Sequence, residues 1–192
     1  MANAALDPKT ESNYRLFAQM AAAAAAEVHR APGLDGARKK LREILQALAP
    51  RKIVAASGEL LAKLELAEAA RAAGAALYTE KLRRHAPAAD LGVSQMDLGI
   101  AETGSLAQNA TDTASRLVST LPPVHLAVLR TEAIVPTLRD ALARAGENGG
   151  PPPYWTIITG PSRTADIERV LTIGVHGPYR LIILAVDGAD EN

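Results

Sequence analysis

The sequence predicts an α/β fold, in which a mostly parallel sheet is flanked by helices and is preceded by a helical N-terminal extension. From residue 50 onward, short β-rich runs alternate with helical segments, an order typical of parallel sheets. Residues 124–129, apart from His125, and residues 181–186 are apolar runs, as in strands that are covered on both faces. We therefore expect a helical extension over residues 1–50 and an α/β domain over residues 51–192.

The first fifty residues carry the clearest helical periodicity. From Tyr14 to Ala24, several side chains recur three and four positions apart, which places them on one face of a helix. Residues 35–49 fit the amphipathic pattern fully, and Pro50 ends that segment. Two helices are therefore predicted in the extension.

The elements of the α/β domain follow from local composition. Strands are predicted at residues 52–56, 75–79, 124–129, 155–159 and 181–186. Helices are predicted at residues 59–73, 131–145 and 163–170. Ser57 and Thr131 are the candidate N-caps of the first two helices. A hairpin is predicted between residues 93–100 and 104–108, and loops are predicted at residues 83–90 and 147–153.

Composition excludes several classes of function. The chain has no cysteine, so it has no disulfide, no thiol catalysis, and no iron–sulfur or zinc site built on its own thiolates. Lysine plus arginine number 21 and balance 21 acidic residues, and aromatics are 3%, which together weigh against nucleic-acid binding. The alanine-rich residues 20–26 are too short to span a bilayer and lack a basic flank. We expect a cytoplasmic protein without a membrane span.

Ligands bind beyond the carboxyl ends of strands in open α/β sheets, and three segments stand out by that rule. They are residues 99–105, 159–168 and 174–178. In the second segment, Gly160 and Pro161 turn the chain after a strand, and Ser162 or Thr164 can cap a helix. The free N–H groups of that helix, with Arg163 beside them, predict a phosphate or carboxylate site.

The alternative for this segment is capping alone. Arg163 would then pair with Asp166 or Glu168 in the first turns of the predicted helix. Local sequence leaves both interpretations open, and no GxxxxGK[ST] or GxGxxG fingerprint supports a nucleotide.

Two further residues are candidates for catalysis. Glu102 lies among small residues and hydroxyls near a strand end, where a carboxylate acts as a nucleophile or general base, or simply faces water in a turn. His176 lies between Gly174 and Gly177, a context that suggests close backbone approach, and the alternative is a hydrogen-bonded structural imidazole. The histidines lack the short spacing of a metal site, so no metal is predicted.

Taken together, the segments resemble the LUD-domain family, of the lactate utilisation protein C type. The resemblance rests on four stretches in matching order and spacing. They are IAETGS at residues 100–105, LPPVH at 121–125, TGPSRTADIE at 159–168 and GVHGP at 174–178. It covers the C-terminal half of the chain, whereas the N-terminal half fits in length and helical character.

The resemblance implies a fold similar to ribose-phosphate isomerases and coenzyme A transferases, with a pocket formed by loops at one edge. It implies a role in oxidising L-lactate to pyruvate, with partner proteins that carry iron–sulfur clusters while this chain binds no cofactor. The implied catalytic candidates are Glu102 and His176. The implied residues around a small anionic ligand are Thr103, Gly104, Ser105, Gly160, Ser162, Arg163, Thr164, Asp166 and Gly177. Among these, Arg163 would hold the anion, and Asp166 would orient Arg163 or His176.

Two other functions are weighed against this one. Glu102, Thr103 and Gly104 resemble the Glu-x-Gly turn of class I coenzyme A transferases, in which the glutamate attacks a thioester. The chain would then be an enzyme in its own right. A regulatory module that binds a small molecule on the same fold is the remaining alternative.

Overall fold

The computed structural model describes residues 7–147, 152–164, 172–173 and 176–189. The strands within these residues are β1 (Glu27–Pro32), β2 (Lys52–Ala55), β3 (Ala76–Tyr78), β4 (Leu91–Gln95), β5 (Leu98–Ile100), β6 (Ser105–Asn109), β7 (Val124–Arg130), β8 (Ile134–Val135), β9 (Trp155–Ile158), β10 (Arg163–Thr164), β11 (Thr172–Ile173) and β12 (Arg180–Asp187). The helices are α1 (Pro8–Ala23), α2 (Gly33–Leu48), α3 (Glu59–Lys63), α4 (Leu66–Ala72), α5 (Leu82–His85), α6 (Thr113–Thr120) and α7 (Leu138–Gly146). Short 3-10 turns cover Ala86–Ala88 and Thr131–Ala133.

The main sheet has six parallel strands in the order β1-β12-β7-β4-β2-β3. The two apolar runs of the sequence form β7 and β12, which pair with each other inside the sheet. Alternate residues of β7 enter different cores, since Leu126 and Val128 belong to one hydrophobic cluster and Ala127 and Leu129 to another. The predicted α/β fold with a mostly parallel sheet is therefore confirmed.

A smaller sheet covers one face of the main sheet, with the strand order β8-β5-β6-β9. Its strands β5 and β6 form the predicted hairpin, whereas β4, the first part of the predicted hairpin arm, belongs to the main sheet. The two sheets approach closely at Gly99, where an added Cβ atom would lie 2.9 Å from the Leu129 side chain and 3.2 Å from Phe17 of α1. This core therefore contains residues from both sheets and from α1.

The N-terminal fifty residues contain a strand that the sequence reading missed. The two predicted helices are present as α1 and α2, but residues 27–32 between them form β1, which pairs with β12 at one edge of the main sheet. Ala25 has a left-handed backbone with φ of 66°, which turns the chain out of α1. The boundary proposed between residues 50 and 51 stays a prediction.

The helix predicted at residues 131–145 is wrong in its first half. Thr131 begins a 3-10 turn and its hydroxyl donates to the Asp187 carboxylate, with 2.6 Å between oxygens, instead of capping a helix. Pro136 separates β8 from α7, and Thr137 caps α7 through a reciprocal capping box with Asp140. The first half of this stretch therefore forms a turn and the short β8, and only the second half is helical.

The predicted helix at residues 59–73 is divided into α3 and α4. The break lies at Glu65, which has a φ of 54°, and the Arg38 guanidinium donates to the carbonyl of Lys63 there. The N-cap is Gly58 and has no side-chain bond, so the expectation that Ser57 caps this helix is wrong. The loop predicted at residues 83–90 instead contains most of α5 and a 3-10 turn.

A polar cluster ties α1 to the carboxyl ends of the central strands. The Nε atom of Arg30 lies 3.0 Å from both carboxylate oxygens of Asp187, which is 8% exposed. The Nη2 atom of Arg30 lies 2.8 Å from the Glu11 carboxylate of α1. The guanidinium carbon of Arg30 lies 4.4 Å from the centre of the Tyr14 ring. Charge and cation–π contacts therefore hold this helix over the end of the sheet.

Among the described residues, none of the helices combines the length and apolar character that crossing a bilayer requires.

The core contains one buried histidine. His125 of β7 is 1% exposed, and its Nε2 atom lies 2.7 Å from the Ser94 hydroxyl, while Nδ1 has no hydrogen-bond partner in the part of the chain that the structure describes. Burial lowers the pKa of His125 to about 4, from an ordinary value of 6.5. The folded protein therefore holds this imidazole neutral over a pH range in which the unfolded chain binds a proton.

We expect this histidine to make the fold sensitive to acid. Because the pKa of His125 is lower in the folded state, its contribution to the free energy of unfolding is fully present above pH 6.5 and is lost as the pH falls toward 4. Urea unfolding should give a free energy of unfolding about 2 kcal/mol smaller at about pH 5 than at about pH 7 from this group. His125→Gln should remove that component, and an unchanged pH dependence in the variant would contradict the assignment.

Candidate functional site

The C-terminal end of α1 rests on two glycines from different loops. Gly104 precedes β6 and Gly160 follows β9, and their φ angles are 64° and 67°, in the left-handed region. An added Cβ atom would lie 2.1 Å from the Ala21 amide nitrogen at Gly104, and 2.1 Å from the Ala24 carbonyl oxygen at Gly160. Only glycine allows both the backbone conformation and this approach.

Hydroxyl groups join the first two predicted segments behind these glycines. Ser105 is 2% exposed, and its hydroxyl donates to Thr103 with 2.7 Å between oxygens. The same oxygen lies 2.7 Å from the Thr159 hydroxyl. Residues 99–105 and 159–164 are thereby held side by side, as expected if they form one site.

The third predicted segment joins them through Ser162. The Ser162 N–H donates to the Pro178 carbonyl at 2.8 Å, and an added Cβ atom at Gly177 would lie 3.1 Å from the Ser162 Cβ. Gly177 thus lies directly against Ser162. His176 is exposed beside it, and we expect its imidazole to remain accessible to solvent.

Arg163 lies at the other end of this arrangement. It is exposed, it belongs to β10, and its Nη2 atom donates to the carbonyl of Ala24, the C-cap of α1. The negative end of the α1 dipole attracts a cation in this position. The helix predicted over residues 163–170 is therefore wrong at Arg163 and Thr164, and residues 165–170, including Asp166, lie outside the described residues.

Glu102 makes a capping contact. Its Oε1 atom accepts a hydrogen bond from the Leu138 N–H at 2.6 Å, at the start of α7, and its own N–H donates to Pro136. A carboxylate in this position stabilises the positive end of a helix. The side chain is exposed, and its role as nucleophile or base stays a prediction.

The sequence reading did not anticipate that α1 would take part in the site. Ala24 lies outside all three candidate segments, yet it binds Arg163, and Thr159, which begins the second segment, binds Ser105. The available signal was the alanine run at residues 21–26, because only small side chains let a helix end pack closely against loop backbones.

The arrangement is suited to a small anion. A guanidinium carries five N–H donors, and in the described residues Arg163 gives one atom to Ala24 and has no carboxylate partner. The Ser162 side chain is partly exposed nearby in sequence. Both groups are donors of the kind that binds a carboxylate or a phosphate.

A separate cavity of about 400 Å³ lies beyond the carboxyl ends of β2 and β3. Alanine and leucine side chains form most of its wall, together with Ser57, Gly58, Glu65 and Thr79. Its position is one where open α/β sheets bind ligands, but its wall carries no basic side chain. It is therefore less suited to an anion than the surface around Arg163.

Comparison with known proteins gives a consistent result. A family model described as the LUD domain matches residues 14–186. A "Lactate utilization protein C 1" from Bacillus mycoides is 38% identical over 110 residues, which are 54% of this chain and 46% of that protein. A "Lactate utilization protein C" from Halalkalibacterium halodurans is 33% identical over 112 residues, which are 56% and 49% of the two chains. The matched region spans about half the length of these curated relatives.

A solved structure shares the fold. It is a DUF162 family protein from Deinococcus radiodurans, with a TM-score of 0.61 and 22% sequence identity. The similarity covers 92% of this chain and 98% of that one.

The glycine at position 160 provides a direct test of how α1 is seated. Gly160→Ala should destabilise the protein by about 2–4 kcal/mol, because the methyl group meets the Ala24 carbonyl and the left-handed backbone is strained. The matched control is Gly74→Ala, which has a φ of 72° but open space around the added atom, and should cost about 1 kcal/mol. Equal losses in chemical unfolding would show that contact with α1 does not matter.

Proposed function

Because the chain belongs to the LUD-domain family, we propose that it is a component of L-lactate utilisation that works with iron–sulfur partner proteins. The observation that carries this proposal is the match to relatives named for lactate utilisation. The 192 residues contain no cysteine and cannot bind a cluster through thiolates, so we assign the clusters to the partner proteins. Its own contribution would be to bind a small carboxylate and to associate with those partners.

The surface around Arg163 is the proposed carboxylate site. Its support is the convergence of three chain segments at the C-terminal end of α1, with an exposed guanidinium and the Ser162 side chain among them. L-Lactate and pyruvate each present a carboxylate that a guanidinium binds in a bidentate manner. Thr103 and Ser105 would also contribute to the site, where the Ser105 hydroxyl donates to the Thr103 hydroxyl at 2.7 Å.

The first test is purification of the tagged chain from its native cells during growth on L-lactate. We expect iron-bearing proteins to co-purify, and lactate-dependent dye reduction to require the chain. A preparation with intact tagged protein, no iron and no loss of activity when the chain is removed would contradict the proposal.

The second test concerns the anion site. Arg163→Lys keeps a cation for the Ala24 carbonyl but loses the planar fork, so it should fold normally and bind L-lactate and pyruvate about ten-fold more weakly. Arg163→Gln should abolish detectable binding by calorimetry. Arg139→Gln, at an exposed arginine of α7, is the control and should bind as the unmodified protein does. Unchanged binding in both Arg163 variants would exclude this residue.

A further inference from the structure

One region of the surface is strongly basic and takes no part in the proposed site. It is formed by Lys52, Lys81 and Arg84, which lie near His85, together with their sequence neighbours Arg51 and Arg83, and we call it the basic surface. Four of these side chains are exposed and Lys52 is partly exposed.

The basic surface is organised around two stacked rings. Tyr78 and His85 stack with 3.9 Å between ring centres and 15° between planes, and the Lys52 Nζ atom lies 5.2 Å from the Tyr78 centre. Desolvation lowers the pKa of His85, and the charges of Lys52, Arg84 and Lys81 lower it further. These three cations therefore lie near the same imidazole, although they come from β2 and from the segment around α5.

Among the described residues, these cations differ from most others because none of them has an acidic partner. Elsewhere, Arg30, Arg38, Lys63 and Arg180 all form ion pairs, as do several other cations of α1, α2 and α4. Within the described residues, no ion pair involves any member of the basic surface.

Two carboxylates near these residues in sequence offset only part of the charge of the basic surface. Asp90 accepts hydrogen bonds from the backbone amides of Arg51 and Lys52 at 2.8 and 2.9 Å, so its carboxylate is bound to the backbone and not to a cationic side chain. Glu80 forms no ion pair among the described residues. Five cations against two carboxylates leave a local excess of positive charge in a chain whose formal net charge is zero.

We propose that the basic surface is a docking site for an acidic segment of a partner protein. Arginine and tyrosine are enriched where proteins bind each other, and complementary charge accelerates and orients such encounters. This proposal goes beyond the one made for lactate and does not depend on it.

The surroundings favour a protein over a nucleic acid or a lipid bilayer. A base would have to stack on an open aromatic face, yet one face of Tyr78 is covered by His85 and Lys52 lies over the ring as well. Peripheral membrane binding adds apolar insertion to charge, and no large exposed apolar side chain lies within the basic surface in the described residues.

The location leaves the proposed anion site free. β3 and β1 are the two edge strands of the main sheet, and the basic surface includes the side chains around β3. α1, whose end forms the anion site, packs against β1 at the opposite edge. A partner docked on the basic surface would therefore not cover Arg163.

The test uses a fluorescein-labelled oligoglutamate peptide as the acidic probe, with binding followed by fluorescence anisotropy. The full chain should bind it at low ionic strength and lose affinity as salt is added. Lys81→Glu combined with Arg84→Glu should weaken binding by about ten-fold or more, because both charges are reversed at exposed positions.

The control variant combines Lys9→Glu with Arg139→Glu. Both positions are exposed second residues of helices, where a glutamate is favourable, and the net charge changes by the same amount. The control should bind the peptide within about two-fold of the unmodified chain. Equal weakening in both variants would show a net-charge effect and overturn the proposal.

Two further probes separate the classes of partner. Duplex DNA and phosphatidylserine-containing vesicles should bind more weakly than oligoglutamate at the same ionic strength. Tighter binding of either one, lost in the Lys81→Glu, Arg84→Glu variant, would assign the basic surface to that polyanion and overturn the assignment to a protein. No binding of oligoglutamate by the unmodified chain would also overturn it.

Discussion

The close approach of α1 to Gly104 and Gly160 is the constraint on which the arrangement of the candidate site depends. These glycines border β6 and β9, which are neighbours in the smaller sheet, so one helix end is fixed against two loops at once. Elsewhere along the helix, Glu11 reaches Arg30, and Arg30 in turn binds Asp187 in the main sheet. α1 therefore links both sheets, and its buried Phe17 lies in the core between them.

This linkage explains why short loop segments far apart in sequence meet at one place. Ser105 bonds to Thr159, and Ser162 bonds to Pro178, so the described part of each loop is fixed by its neighbour. Arg163 completes the arrangement by binding the Ala24 carbonyl at the end of α1. An anion bound by Arg163 would therefore lie next to the C-terminal end of α1. The basic surface beside β3 would remain accessible to a partner.

The parts of the fold that were predictable from sequence are those in which local and tertiary preferences agree. The apolar β7 and β12 are examples, since a continuous apolar run is explained equally by strand propensity and by burial on both faces. Residues 27–32 were missed because β1 has mixed polarity and is stabilised by pairing with β12, which no local pattern records. Residues 131–137 were misassigned because their turn depends on the contact between Thr131 and Asp187, 56 positions later.

The candidate site was predictable in its members but not in its geometry. The three loop segments were predictable from their glycines and hydroxyls, and their described parts do meet. The contribution of α1 was not predictable, because long-range packing decides where in the fold the end of a helix lies. A carboxylate site at the C-terminal end of α1 can be tested by titrating the isotopically labelled protein with L-lactate and following its amide resonances. If the carboxylate binds at the end of α1, the shifts should be concentrated at Gly104, Gly160, Ser162 and Gly177. No shifts, or shifts confined to the cavity around Gly58, would exclude a carboxylate site at the end of α1.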